Sequence, residues 1–318
     1  GVVSGDFLYS FEDDENVTTA LFNAAKEWAA GKGMELLEGP MFAGGIYGSG
    51  ILVEGFDSPP PMTMMSYNYP YYGRLLEKAG FSRFVDLYSA RIDPAEFELP
   101  EKVERIAELV RKRSTLNVLR FSRGREIRKL APRIGAVVNE SLGHHPEDYP
   151  LTDAEIKQLT GELLQIARPE LIKILTDEGQ DEGPEPKGRE QEGRAQERRP
   201  VGFLFAFPDL SGALRKNGGR VGPLGLISLL RDFKKEERLI INGMGILPKY
   251  QGRGGNALLY DELVKSVKQS GFKETELVQV SERTDMMIKD LKRLGADFYK
   301  TYRMYSLPLS THTRVPSA

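Results

Sequence analysis

The sequence contains no cysteine and only three histidines, His144, His145 and His312. Without cysteine there is no disulfide, no thiolate nucleophile and no Cys-ligated zinc, and so few histidines argue against a histidine-rich metal site. We therefore expect no metal. No apolar run approaches the ~18 residues that span a bilayer, and no basic segment followed by an apolar one opens the chain. We expect no membrane span and a cytoplasmic location; the first residue, Gly1 rather than Met, is consistent with a native N-terminus further upstream.

The chain also lacks an excess of positive charge. Lys and Arg together number 44 and Asp and Glu together number 46, which gives a formal net charge of −2. Such a chain lacks the summed positive field on which non-specific binding of DNA or RNA depends, so we expect no nucleic-acid partner. Its 318 residues are enough for about two domains.

Helical and strand patterns alternate along the chain and indicate an α/β (α+β) fold. We place a first domain at residues 1–99, a connecting helix at 100–115 and a second domain at 116–318. Residues 177–200 are rich in Glu, Gly, Arg, Gln and Pro and contain almost no apolar residues. Such a segment cannot bury enough surface to offset the entropy of ordering, so we predict a disordered insertion within a β-hairpin.

The most informative segment runs from Gly245 to Leu259. A predicted strand ends at Pro248, a glycine-rich turn follows, and an amphipathic helix begins at once. Amides at a helix N-terminus attract phosphate oxygens, and glycines remove the Cβ atoms that would hold a pyrophosphate away. The turn lacks the Gly-Lys-Ser/Thr of a Walker loop, and it lies too late in the chain for a Rossmann fingerprint. The segment therefore predicts a pyrophosphate site; a glycine turn without a ligand is the alternative.

This segment resembles the acetyl-CoA-binding motif of the GCN5-related N-acetyltransferase (GNAT) superfamily, Gln/Arg-x-x-Gly-x-Gly/Ala after a strand and a proline. Gln251 and Gly254 match the motif, and Asn256 departs from it, because Gly or Ala is usual there. The order of predicted elements also resembles the superfamily over residues 116–307. The resemblance implies that the CoA pyrophosphate is held at Gln251, Gly252, Arg253, Gly254, Gly255 and Asn256. It also implies that the pantetheine amides pair with the strand residues Met244, Gly245, Ile246 and Leu247.

The resemblance implies a fold of two GNAT-like domains, each a mixed, mainly antiparallel central sheet flanked by helices. An internal sequence similarity supports this. Leu75–Phe81 and the strand after it are similar to Asp290–Gly295 and the strand that follows. The first copy carries the acidic run Glu12–Glu15 where the pyrophosphate turn should be, and acidic groups would repel phosphates. We therefore predict that the N-terminal domain is partial and degenerate and does not bind CoA.

Two side chains are candidates for catalytic roles. Glu282, at the end of the strand beside the expected pantetheine path, is predicted to be the general base, and Asn242 is predicted to position a water molecule or the acceptor. A solvated carboxylate is the commoner role for a residue placed like Glu282. The superfamily's usual tyrosine acid falls at Leu291, which cannot protonate a leaving thiolate. The pair His144-His145 is a further candidate base, although adjacent histidines before a proline more often mark an exposed loop.

The function that these residues predict is acyl-CoA-dependent N-acyl transfer to an amine by direct attack. The cofactor is expected to be acetyl-CoA or another acyl-CoA. The alternative is a non-catalytic GNAT-like ligand-binding module, which Asn256 and Leu291 favour. Aminoacyl-tRNA-dependent transfer, as in Fem-type tandem GNAT enzymes, would require a more basic surface than this chain has.

Neither the identity of the acceptor nor the oligomeric state follows from the sequence. Apolar residues at 224–230 and the Met-rich stretch at 62–65 would suit a long acyl chain or a lipophilic amine. We therefore expect a small-molecule or lipophilic amine as the acceptor.

Apolar residues also recur at helical spacing in the first predicted helix, where Val17, Leu21 and Trp28 share one face.

Overall fold

The structure is a computed structural model that describes residues 2–4, 13–41, 48–58, 65, 67–142, 150–179, 198–216, 232 and 235–309. The chain divides into two compact units, one of Gly1–Arg91 with Glu276–Ala318 and one of Ile92–Thr275. The first unit is thus built from both ends of the sequence. The domains expected at 1–99 and 116–318 were placed by motif rather than by contacts, and they stay predictions.

Strands and helices alternate along the chain. The strands are β1 (Val2–Ser4), β2 (Leu36–Gly39), β3 (Ile51–Glu54), β4 (Ser82–Ile92), β5 (Leu116–Leu119), β6 (Ile172–Asp177), β7 (Arg199–Pro208), β8 (Arg238–Ile246), β9 (Glu274–Ser281) and β10 (Asp297–Pro308). The helices are α1 (Glu15–Gly31), α2 (Tyr71–Lys78), α3 (Glu101–Arg113), α4 (Gly124–Leu142), α5 (Asp153–Ile166), α6 (Ser211–Lys216), α7 (Gly255–Ser270) and α8 (Asp285–Arg293). The strand–turn–helix order predicted around residues 245–259 is confirmed.

The first unit holds a sheet in the order β1-β2-β10-β4-β9, with β3 also paired to β10. β1 and β2 are parallel, whereas β10 runs antiparallel to β2, β3 and β4. A buried cluster that includes Phe22 of α1, Leu75 of α2 and Tyr305 of β10 joins the helices to this sheet.

The second unit holds the antiparallel strands β8-β7-β6-β5, in that order. Nearly every residue of β6 and β7 is buried, as expected for strands covered on both faces. The pairing of β6 with β7 confirms the predicted hairpin, and most of the insertion predicted at 177–200 lies outside the described residues. Both units thus confirm the predicted fold class, a mixed α/β fold with mainly antiparallel sheets flanked by helices.

Helix α5 shows how local sequence sets the ends of an element. The Glu155 amide donates to Thr152 Oγ1 (3.3 Å), and the Thr152 amide donates to Glu155 Oε2 (2.7 Å), which is a capping box. Just before it, the Asn139 side chain of α4 makes two 2.8 Å hydrogen bonds to the backbone of Leu151. These contacts fix the chain that enters α5 against the C-terminal part of α4.

Helix α1 turns its apolar stripe away from the core. Its buried residues are Thr18, Phe22 and Ala29, and its exposed large apolar residues are Val17, Leu21 and Trp28, at 43%, 44% and 59% exposure. Phe22 decides the orientation, because its ring packs on that of Phe81 with 4.6 Å between centroids. The apolar periodicity therefore predicted the helix correctly, but the apolar face that it identified is exposed to solvent.

Candidate active site

The central feature of the second unit is an irregularity where β8 pairs with β7. The register shifts between the pairs Leu204–Met244 and Ala206–Ile241. Between these pairs β7 has one residue, Phe205, whereas β8 has two, Asn242 and Gly243. This is a β-bulge, and Gly243 has a φ of 101°, a conformation that glycine adopts without steric cost. A bulge bends its strand and interrupts the backbone ladder, here at Asn242 and Gly243.

Beside the bulge, one face of β8 carries no side chains, because Gly243 and Gly245 lie there. A Cβ atom on Gly245 would lie 2.8 Å from Phe203 Cε1 and would also meet the hydroxyl of Ser141 on α4. A Cβ on Gly243 would lie 3.5 Å from Phe203 Cε2. The ring of Phe203 therefore lies over both glycines, and α4 approaches the backbone of β8 closely at Gly245.

Beyond β8, the chain makes a short 3-10 turn at Pro248–Tyr250 and enters the glycine turn that leads to α7. The N-cap residue of α7, Gly254, has a φ of 80°, and no side chain caps the helix. The Leu258 amide is the first to reach back to Gly254, at 3.3 Å. The amides of Gly255, Asn256 and Ala257 thus occupy the first turn, where a helix has no acceptors of its own. The anion site predicted from the sequence at this turn stays a prediction.

The three glycines of the turn serve different purposes. A Cβ on Gly254 would lie 2.7 Å from Val110 of α3, and one on Gly255 would lie 2.5 Å from Leu175 of β6. These two positions require glycine because neighbouring elements pack there. Gly252 has a φ of 73° and no atom within 4 Å of a Cβ position, so it faces open space. Of the three, Gly252 is the one whose bare backbone is open to a ligand.

The side chain of Gln251 is used within the turn itself. Its Nε2 donates to the carbonyl of Ile246 at 3.0 Å, which ties the turn to the end of β8. The hydrogen bond explains why a side-chain amide suits this position, because it fixes the turn while leaving the following amides unoccupied. Gln251 is exposed, as are Gly252 and Arg253.

Two cations flank the turn. The Arg253 guanidinium lies 5.2 Å and the Lys249 ammonium 5.9 Å from the ring centroid of Tyr250. Asp177, at the end of β6, balances part of this charge. Burial by itself would raise the pKa of Asp177, but hydrogen bonds from Thr115 and others, with the charge of Arg253, hold its pKa below the usual value. Lys249 was not among the predicted site residues, although its place two residues before Gln251 is a usable signal.

Glu282 lies in the first unit and has structural partners there. Its Oε2 accepts a hydrogen bond from the Arg83 guanidinium, and its Oε1 accepts from the Asp86 amide at 3.1 Å. Arg83 also donates to the Asp86 carboxylate at 3.0 Å, so it bridges two acids. Arg83 occupies this carboxylate, so Glu282 would have to leave Arg83 to act as a base.

Several other predicted residues are placed by the structure in the core or fall outside its described part. Leu291 is 1% exposed, so it is a packing residue. His144 and His145 lie outside the described residues, as does the apolar stretch 224–230. Over the described part of the chain, no group of three or more His, Asp or Glu side chains is arranged to hold a metal ion. None of the helices described here combines the length and apolarity needed to cross a membrane.

The sequence model of the Acetyltransferase (GNAT) family matches residues 168–295 of the chain. The sequence of this segment is thus similar to that of GNAT acetyltransferases. The GNAT segment runs from just before β6 to just after α8, and it contains the bulge in β8, the glycine turn and the start of α7. The predicted resemblance is thereby confirmed over this range, which is narrower than the 116–307 expected.

Two relatives resemble the chain well beyond the GNAT segment. Protein YghO of Escherichia coli (strain K12) is 25% identical over 301 residues, which covers 92% of this chain and 71% of YghO. A bacterial ceramide synthase of Caulobacter vibrioides (strain NA1000 / CB15N) is 26% identical over 320 residues, which covers 97% of this chain and 76% of the synthase. Among solved structures, a GCN5-related N-acetyltransferase from Sphaerobacter thermophilus shares 14% identity over 92% of this chain and 68% of its own, with a TM-score of 0.47. A likeness at that score supports no argument about this chain.

Proposed function

We propose that the chain is an acyl-CoA-dependent N-acyltransferase that acts on an amine. The observation that carries the proposal is the turn between β8 and α7, in which the first helical amides have no side-chain cap and Gly252 faces open space. A pyrophosphate can approach such a backbone closely, and it meets the positive end of the helix dipole. The similarity of residues 168–295 to a family of acetyltransferases supports the same reading.

The turn and β8 would hold the donor together. The amides from Gly252 to Asn256 would bind the two phosphates, with Arg253 and Lys249 near them as cations. The backbone of residues 244–247, in which Met244 and Ile246 are half-buried, would pair with the pantetheine amides. Acetyl-CoA and longer acyl-CoAs share these groups, so this part of the site does not distinguish between them.

Acyl-CoA would supply an activated carbonyl, whose carbon forms a bond to the amine nitrogen while its bond to sulfur breaks. An amide on the bulged β8, at Met244 or Gly245, would polarise the carbonyl oxygen. An alkylammonium with a pKa of ~10.4 must first lose a proton, which costs roughly 4–5 kcal/mol at neutral pH. Glu282 stays our prediction for the base that accepts it, and Asn242, within the bulge, for positioning water or the acceptor.

For the acceptor we propose a lipophilic amine. The support is the resemblance to a protein named as a ceramide synthase, since a ceramide is the amide of a long-chain amino alcohol. The sequence expectation of an apolar acceptor agrees with this. A second candidate, a GNAT-like module that binds a ligand without turnover, is favoured by the pairing of Glu282 with Arg83 and by the buried Leu291.

The pyrophosphate site is tested by a matched pair of substitutions, Gly252→Asp and Gly252→Asn. Both side chains tolerate a positive φ, so they differ mainly in charge. We expect CoA to stabilise the wild-type protein and Gly252→Asn in a thermal-shift assay, by about 2.7 kcal/mol at a hundred times Kd. Gly252→Asp should bind CoA about tenfold or more weakly, because its carboxylate repels the phosphates.

Two measurements would go against the proposal. Equal CoA shifts in both Gly252 variants would show that the phosphates bind elsewhere. Absence of thiol release over a panel of amines and acyl-CoAs, with CoA binding retained, would identify the chain as the binding module instead.

A further inference from the structure

One residue of β7 stands apart from its neighbours. Between Pro200 and Pro208, all of which the structure describes, every residue is buried except Phe205, which is half-buried. Phe203 and Phe207 on the same strand are each 1% exposed. A large apolar side chain that stays partly exposed to water on such a strand calls for an explanation.

Phe205 is also the residue that faces the bulge. It is the single β7 residue opposite Asn242 and Gly243, where the register of the two strands shifts. Its ring packs against that of Phe203, with 4.6 Å between centroids and 31° between planes. The partly exposed ring of Phe205 therefore lies where the β7–β8 ladder is interrupted.

Two of the residues opposite this pair of rings are glycines. Gly243 and Gly245 give β8 no side chain on the face that the Phe203 ring covers, and Ser141 of α4 contacts the same face at Gly245. The pair of rings is thus continuous with the backbone at which acyl transfer is proposed, and no charged side chain is among these residues. An aliphatic chain that leaves water gains affinity about fourfold for each methylene buried.

We infer that Phe205, supported by Phe203, binds the aliphatic chain of a substrate and makes this site selective for long chains. The inference rests on the proposed function for the identity of the reaction, and it adds the residue that selects the substrate. The chain that the rings bind belongs either to the amine or to the acyl group, because both meet beside the bulge. Phe205 is thereby a specificity-determining residue, and Phe203 holds its ring in place.

Binding of chains of different length to the full chain and to Phe205→Ala tests the inference without requiring turnover. The probes for calorimetry are hexylamine and dodecylamine for the acceptor, and hexanoyl-CoA and dodecanoyl-CoA for the donor, with CoA as reference. We expect the wild-type protein to bind the dodecyl member of one pair more tightly than its hexyl member. Phe205→Ala should lose about tenfold or more of that preference and bind CoA unchanged. Phe205→Leu should lose less, since it keeps most of the apolar surface.

The control is Phe298→Ala, which removes a half-buried aromatic ring from the first unit. It should leave the chain-length preference intact. An unchanged preference in a folded Phe205→Ala protein would overturn the inference, and so would a wild-type protein without any preference for dodecyl over hexyl. If CoA fails to bind and no thiol is released, the proposed function is wrong; the dodecylamine comparison still decides the role of Phe205.

Discussion

Arg83 holds two carboxylates in the first unit, and this pairing bears directly on the predicted base. Its guanidinium donates to both Asp86 and Glu282, while Arg303 donates to Asp86 at 2.7 and 2.9 Å. Asp86 thus has two cations, whereas Glu282 has one cation and one amide. Glu282 is the more easily released of the two acids, and its release is what a role as general base would require.

Paired substitutions separate a catalytic from a structural role for Glu282. On the proposed role, Glu282→Gln should lower kcat by about a hundredfold or more, because a carboxamide cannot accept the proton. Arg83→Gln should lower kcat far less, since it frees the base rather than removing it. Thiol release and thermal unfolding would be measured on both proteins. Small, equal changes in kcat with equal losses of stability would show that the pair only holds the fold together.

Single residues also mark where sequence reasoning stops. Gln251 to Gly255 could be found because the motif is contiguous and its chemistry is local. The sequence could not show which of the three glycines has open space beside its backbone. Gly254 and Gly255 pack against Val110 and Leu175, and these two residues are distant from the turn in the sequence. The same holds for Phe205, whose exposure depends on the register of a neighbouring strand.

Among the elements, the crossing of α4 and α5 depends on one missing methyl group. A Cβ on Gly135 of α4 would lie 2.8 Å from both Cγ1 and Cγ2 of Ile156 on α5. Glycine in a helix interior is otherwise unfavourable by about 0.5–1 kcal/mol relative to alanine. The close approach of the two helices outweighs this local preference.

Gly135→Ala should therefore destabilise the protein by about 1–3 kcal/mol through overpacking, even though alanine is the better helix former. Gly161→Ala in α5 is the matched control, since a Cβ there meets nothing within 4 Å, and it should stabilise the protein. Urea unfolding would measure both. The double variant Gly135→Ala with Ile156→Val should recover part of the loss; a purely additive result would place the strain elsewhere.

The orientation of elements is harder to predict than their existence. The apolar spacing in α1 predicts a helix, and the helix is present, but Val17 and Trp28 face solvent while Thr18 is buried. The sequence pattern contains no information on which stripe meets the sheet, because Phe22 and Phe81 come together only in the folded unit. The start of helix α5 was easier to predict, since its capping box is formed by residues three positions apart.

Over the described part of the molecule, three buried acids are held ionised by cations or hydrogen bonds. Burial by itself would raise the pKa of Asp86, Asp261 and Glu262, but hydrogen bonds from arginine or lysine side chains outweigh burial and lower each pKa. A group with a lowered pKa in the folded state stabilises that state above its unfolded pKa. The contribution is lost as the pH falls through the unfolded value towards the folded one.

The free energy of unfolding should therefore decrease as the pH is lowered through about 4, and it should decrease less steeply in Asp86→Asn. At neutral pH this variant should be less stable than wild type by about 2–4 kcal/mol, because Arg303 loses the charge that faces it. The difference from wild type should shrink in acid, where Asp86 itself becomes protonated. Urea midpoints over a pH series would measure this. Asp297→Asn, in an exposed pair with Arg91, is the control and should change little; a gap that stays constant with pH would contradict the assignment.

The division of the chain has a consequence for how the protein is made. Strand β10 pairs with β2, β3 and β4, although the unit Ile92–Thr275 separates it from them in the sequence. That intervening unit is contiguous, so it can fold during synthesis. Strands β2, β3 and β4 must wait for their partner β10 until this unit has been translated. A chaperone that shields nascent strands would act on this stretch.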